Sequence, residues 1–176
     1  DYVKVSGGIF LDMTIHDFDM VRYLLDSDVE EVYVQSAVLV NPEIGEAGDV
    51  DTAIISLKMA NGALAVIDNC RRSAYGYDQR AEVFGSLGMA ACENDTPSTV
   101  KIAGSEGVSG EKPLYFFLDR YMQAYAKEIT AFVDAVVNDT PVPCTQDDGL
   151  KAVLIGLAAK KSAEEHRPVK LSEIAQ

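Results

Sequence analysis

Apolar residues first fall into a regular pattern near the start of the chain. Met13, Phe18, Val21, Leu24 and Leu25 recur at helical spacing, with Ile15 and Met20 alongside, and predict a helix over roughly 12–25. The Gly7-Gly8 pair leads into it and the Asp26-Ser27-Asp28 turn ends it. The period then drops to two. From Glu31 to Val40, Val32, Val34 and Ser36 fall on one side and Tyr33, Gln35 and Ala37 on the other, the alternation of a strand. Segments 52–59 and 63–71 flank Asn61-Gly62, a pair that favours the tight turn of a hairpin. Further strands are predicted over 80–84 and 89–92, across Gly85-Ser86-Leu87-Gly88, and over 99–103. Short connections between them imply antiparallel pairing.

The last third is helical. Residues 119–137 carry Met122, Tyr125, Ile129, Phe132, Val133, Val136 and Val137 as one apolar stripe, ended by Asn138-Asp139-Thr140-Pro141. Thr145 opens another helix with Asp148 as a capping partner, and Leu150, Val153, Leu154, Leu157 and Ala158 mark its predicted buried face. His166-Arg167-Pro168 closes it, and Val169-Lys170-Leu171 reads as an edge strand. Between the strands and helices, Gly104, Gly107 and Gly110 have Gly-x-x-Gly-x-x-Gly spacing with no helix directly after them, and read as a flexible loop. A helix, a run of strands and two long helices describe a single α+β domain over 1–176, with helices on one face of an open, mostly antiparallel sheet. The other face calls for a second subunit.

Composition narrows the function classes. Of 176 residues, 48% are hydrophobic and 24% charged, ordinary for a soluble globular domain. Fifteen Lys and Arg against 28 Asp and Glu leave a net charge of −13, which repels phosphate backbones and anionic lipids. No nucleic-acid or membrane partner is expected, and no apolar run approaches the roughly 20 residues of a membrane helix. Cys70, Cys92 and Cys144 lack Cys-x-x-Cys spacing and read as reduced thiols in a cytoplasmic protein.

Two segments carry candidate chemistry. His16 lies four residues after Asp12, which on one continuous helix places both on one face, and a carboxylate beside an imidazole suits it to work as a base. Asp19 could join them as a His-and-two-carboxylate set, but no further strong ligand is signalled and no metal is expected. His166 sits at a helix C-terminus and reads as structural. The second segment crowds Arg71, Arg72, Tyr75, Tyr77, Asp78 and Arg80 around Gly76; it reads either as a solvated turn or as a polyol site, with donors, acceptors and an aromatic wall.

The stretch SGGIFLDMTIHDFDMVRYLL, together with YGYDQRAEVFGS and the final PVPCTQDDGLKAVLIGLAAKKSAEEHRPVKL, resembles the glucose–fructose oxidoreductase and inositol dehydrogenase family (Gfo/Idh/MocA), and within it the inositol dehydrogenases. The resemblance runs over the whole chain. It implies the family's C-terminal domain, which binds substrate and forms oligomers, with a Rossmann domain missing from this chain and carrying NAD (or NADP). It further implies that Asp12 and His16 are catalytic, His16 as general base, and that Tyr75, Tyr77 and Arg71 bind substrate. The implied reaction oxidises a secondary hydroxyl of a cyclic polyol such as myo-inositol to a ketone, in a homodimer or homotetramer. No Gly-x-Gly-x-x-Gly turn is present, so no cofactor-binding residue is expected here and the fragment alone is expected to be inactive. Glu111-Lys112-Pro113 imitates the family's lysine motif but follows the Asp/His signature, in the wrong domain. Rival readings are an oxidoreductase for another sugar, such as an aldose or scyllo-inositol, and a non-catalytic binding module of the same fold.

Overall fold

A computed structural model describes residues 2–174. In chain order the elements are α1 (Ile9–Asp12), α2 (Ile15–Leu25), β1 (Val29–Ala37), α3 (Pro42–Glu46), β2 (Thr52–Met59) and β3 (Leu64–Cys70). There follow β4 (Ala81–Gly85), β5 (Gly88–Cys92), β6 (Lys101–Gly104), β7 (Gly107–Gly110), α4 (Phe117–Asn138), α5 (Gln146–Glu165) and β8 (Val169–Lys170). The chain divides into two compact units, one of Asp1–Arg72 with Cys144–Gln176 and one of Ser73–Pro143.

The first unit is built on a four-stranded antiparallel sheet in the order β3-β2-β1-β8. Alternation sorts its faces. Val32, Val34, Ala53, Ile55, Leu57, Met59 and Ile67 point into the core, where they meet Ile155, Ala158 and Ala159 of α5, Phe18 of α2 and Ile9 of α1. Ile54, Ser56, Lys58 and Val66 are exposed on the opposite face. The strand predicted to reach Val40 stops at Ala37, because the N–H groups of Leu39, Val40 and Asn41 turn to the Asp51 carboxylate, at 2.9, 2.8 and 2.8 Å. Burial pushes the Asp51 carboxyl pKa up, but these three bonds and one from Thr52 outweigh it and hold it at about 2.

Of the predicted inward face of α5 only Ala158 is fully buried. Ala152, Ile155, Gly156, Ala158, Ala159 and Ser162 are buried, whereas Leu150, Val153 and Leu157 are exposed. The helix packs against β1, α1 and α2, and apart from Ile155 the side chains that fit there are small. A Cβ on Gly156 would lie 2.6 Å from Leu11 Cδ2 and 3.2 Å from the Phe10 carbonyl oxygen. The Thr145 capping box forms as predicted, and His166 ends α5 in the left-handed conformation.

The second unit holds two hairpins, β4–β5 and β6–β7, each a two-stranded sheet of its own, so the predicted strands do not form one continuous sheet. The glycine-spaced segment runs from the end of β6 through β7, a hairpin where a flexible loop was expected. All residues of β6 and β7 are exposed, so no buried face imprints an alternation on their sequence. The predicted α4 stripe is not buried: Met122, Tyr125, Ile129, Phe132, Val133, Val136 and Val137 are all exposed, and Ala135, outside the stripe, is the buried residue of the helix. The fold class is nonetheless α+β with antiparallel sheets and helices. Among the described residues, no helix is long and apolar enough to cross a membrane.

Candidate active site

The predicted helix over 12–25 is interrupted. Thr14 donates its N–H to Ile9 O, one residue further back than an α-helix requires, and His16 N–H reaches Met13 O instead of Asp12 O. Asp12 therefore ends α1 and His16 stands in the first turn of α2. Thr14, fully buried at this break, has its hydroxyl 3.2 Å from Ile9 O and 3.1 Å from Asn69 Oδ1. The Asn69 amide in turn donates to Asp17 at 3.1 Å, tying β3 to the start of α2.

The Asp12 carboxylate is committed on both oxygens. Tyr2 donates its hydroxyl to Oδ1 at 2.5 Å, and Arg71 donates from one terminal nitrogen to Oδ2 at 3.0 Å. That hydrogen bond to a carboxylate raises the Tyr2 phenol pKa. The other terminal nitrogen of Arg71 donates to Asp49 Oδ2 at 2.9 Å. Side chains of Asp12, Arg71 and Asp49 are 14%, 11% and 11% exposed, so the paired charges are largely withdrawn from water. His16 is exposed, and among the described residues no hydrogen bond joins it to Asp12. The structure thus brings Asp12 and Arg71 together, an encounter the sequence spacing did not suggest, and leaves the imidazole open to solvent. Arg71 and Arg72 also line an open cleft of about 440 Å³ with Val40, Asn41, Ile44 and Asp51.

Tyr75 and Tyr77 belong to the second unit. The Tyr75 hydroxyl donates to Asp78, which also accepts from Arg80 at 2.7 and 3.0 Å and from Asn94 at 2.6 Å. Arg80 above all holds the Asp78 carboxyl pKa well below the usual carboxylate range. Tyr77 donates its N–H to Leu114 O at 2.8 Å and packs edge-on against Tyr121, with ring centroids 5.6 Å apart. Among the described residues no group of three or more His, Cys, Asp or Glu side chains is arranged to hold a metal ion. Sequence reading missed Tyr2, Asp49 and Asn69. The Asp49-Val50-Asp51 triplet was a usable signal for Asp49, since carboxylates beside a strand start commonly collect N–H groups. No pattern in the sequence points to Tyr2 or Asn69.

Comparison with known proteins gives this geometry its context. The myo-inositol 2-dehydrogenase of Thermotoga maritima is 53% identical over 174 residues, covering 99% of this chain and 52% of that protein. The crystal structure of a myo-inositol dehydrogenase from Corynebacterium glutamicum superposes with a TM-score of 0.92 at 40% identity, covering 97% of this chain and 51% of that one. That of a scyllo-inositol dehydrogenase from Lactobacillus casei with bound NAD(H) and scyllo-inositol gives 0.87 at 28% identity, covering 94% and 49%. The chain spans about half the length of the curated relatives it matches. Residues 1–91, which hold the whole Asp12–Arg71–Asp49 cluster and His16, match the GFO/IDH/MocA C-terminal domain, and the chain belongs to that family.

Proposed function

We propose that this chain is the substrate-binding and oligomerisation domain of an NAD(P)-dependent dehydrogenase that oxidises a secondary hydroxyl of a cyclic polyol, of the myo-inositol type, to a ketone. The observation that carries the proposal is an exposed imidazole, His16, in the turn after an Arg71-held carboxylate, Asp12. Names of relatives at 53% and 45% identity supply the substrate class. Oxidising a secondary alcohol removes a proton from oxygen and a hydride from carbon, and the residues of this chain serve the first of these. His16 takes the hydroxyl proton on its imidazole. Asp12, paired with Arg71, orients the hydroxyl and steadies the imidazolium that forms. Arg71 contacts the remaining hydroxyls.

The described residues include no glycine-rich turn at a helix N-terminus of the kind that cradles a dinucleotide's phosphates, and Gly104, Gly107 and Gly110 lie in or beside a hairpin. The cofactor would be carried mainly by a Rossmann half of the parent protein, and this chain by itself is proposed to be inactive. Exposed Ile54, Leu64 and Val66 on the open sheet face support closure by a second copy.

The test is substitution of His16 in the full-length protein, with myo-inositol and NAD as substrates. His16→Ala should lower kcat by roughly 10²–10⁴-fold and abolish the limb of the pH–rate profile that rises toward alkaline pH. Asp12→Asn should also slow turnover, while NAD affinity stays unchanged in both variants. A His16→Ala enzyme that keeps more than about a third of its kcat with the same pH dependence would move proton transfer to another group.

A further inference from the structure

Asp49 has no place in the reaction as described, yet three observations converge on it. Its Oδ1 accepts the N–H of Ile9, the first residue of α1, at 3.1 Å, and its Oδ2 accepts from Arg71 at 2.9 Å. Gly8, at a φ of +83°, makes room for it, since a Cβ there would lie 2.9 Å from the same Oδ1. The Asp49 side chain is 11% exposed, so it is held within the protein and is not a solvated loop charge. One carboxylate thus anchors the start of the short helix that ends in Asp12 and also aims the guanidinium that grips Asp12.

We infer that Asp49 is a positioning residue for Asp12, acting through Arg71 and through the first N–H of α1. The inference rests on the catalytic reading of Asp12 given above. A guanidinium presents a rigid planar fork. With Asp49 holding one arm, the other arm meets Asp12 from a single direction and leaves the second Asp12 oxygen to Tyr2 or to a substrate hydroxyl. Without the Asp49 charge, the fork is free to turn and engage both Asp12 oxygens, which withdraws the carboxylate from the substrate side. The same loss loosens the α1 N-terminus. The expected signature is a defect in kcat that depends on Asp12, with NAD binding untouched.

A double-mutant cycle in the full-length protein tests this, with myo-inositol and NAD as substrates, read as kcat, the two KM values and Tm. Asp49→Asn in the wild-type background should lower kcat roughly tenfold and leave the KM for NAD unchanged. In an Asp12→Asn background it should change kcat by less than about twofold, because the group it positions is already disabled. Asp49→Ser, which drops the charge that holds Arg71 but keeps an oxygen to accept a hydrogen bond, should give the same pattern and serves as the second variant if Asp49→Asn folds poorly. An equal fold-loss from Asp49→Asn in both backgrounds, or a lowered Tm with kcat intact, overturns the positioning role and leaves Asp12 as a catalytic group. If Asp12→Asn itself leaves kcat unchanged, the catalytic reading of Asp12 falls and takes this inference with it, a result distinct from the first two.

Discussion

Ser162→Ala is a change of one oxygen atom in the middle of α5, and the structure makes it costly. The Ser162 side chain is fully buried. Its hydroxyl accepts the N–H of Val34 at 3.0 Å and donates to the carbonyl of Arg167 at 2.6 Å. Strand β8 pairs with β1 only at Glu31 and Val32, so at Val34 the ladder has run out and the serine stands in for the missing strand. Alanine leaves a buried N–H without a partner, which costs about 1–3 kcal/mol. Loss of the bond to the Arg167 carbonyl adds about 0.5–1.5 kcal/mol. The better helix propensity of alanine returns about 0.5 kcal/mol. The net loss should be about 1–4 kcal/mol, and urea unfolding followed by far-UV circular dichroism should show the midpoint fall by about 0.5–2 M. Thr130→Ala, on exposed α4, removes a hydroxyl that donates to the Ala126 carbonyl at 2.9 Å and serves as the control. It should stay within about 0.5 kcal/mol of wild type. A Ser162→Ala chain as stable as that control, with an unchanged slope, would falsify the claim that this hydroxyl completes the sheet.

Gly156→Val should cost about 1–3 kcal/mol in the same assay, since the added Cβ meets Leu11 and the Phe10 backbone and pushes on α1; an unchanged midpoint would mean the two helices separate freely. Thr145→Ala removes the α5 cap, where Thr145 accepts from Asp148 N–H and Asp148 from Thr145 N–H, and should cost about 1 kcal/mol by urea titration. The Asp51 carboxyl, held at about 2 in the folded chain, stabilises the fold above the ordinary carboxylate pKa, and that contribution fades as pH falls from about 4 to 2. Asp51→Asn should therefore lower Tm at neutral pH, and the gap to wild type should narrow on acidification; a constant gap from pH 7 to 2 would show that the charge is not what Leu39, Val40 and Asn41 require.

Local patterns carried the elements whose reasons are local. The period of two in β1 and β2, the Asn61-Gly62 turn and the Thr145–Asp148 cap were legible because each depends on neighbours in sequence and one buried face. The Asp-x-x-x-His spacing was legible too, but the helix break at Thr14 that separates Asp12 from His16 was not. Tertiary packing decided the rest. Which face of α5 is buried depends on how closely β1, α1 and α2 crowd it, and that selects Ala152, Gly156, Ala159 and Ser162 over the leucines. Where β1 ends depends on Asp51, ten residues beyond Asn41 and just before β2, as the 2.8 Å bond from Asn41 N–H shows. The partners of Asp12 come from residues 10 and 59 positions away, Tyr2 and Arg71, and Arg71 reaches back to Asp49. No periodicity encodes such encounters, because the pairing of charges buried from water is set by which chain segments the core brings side by side.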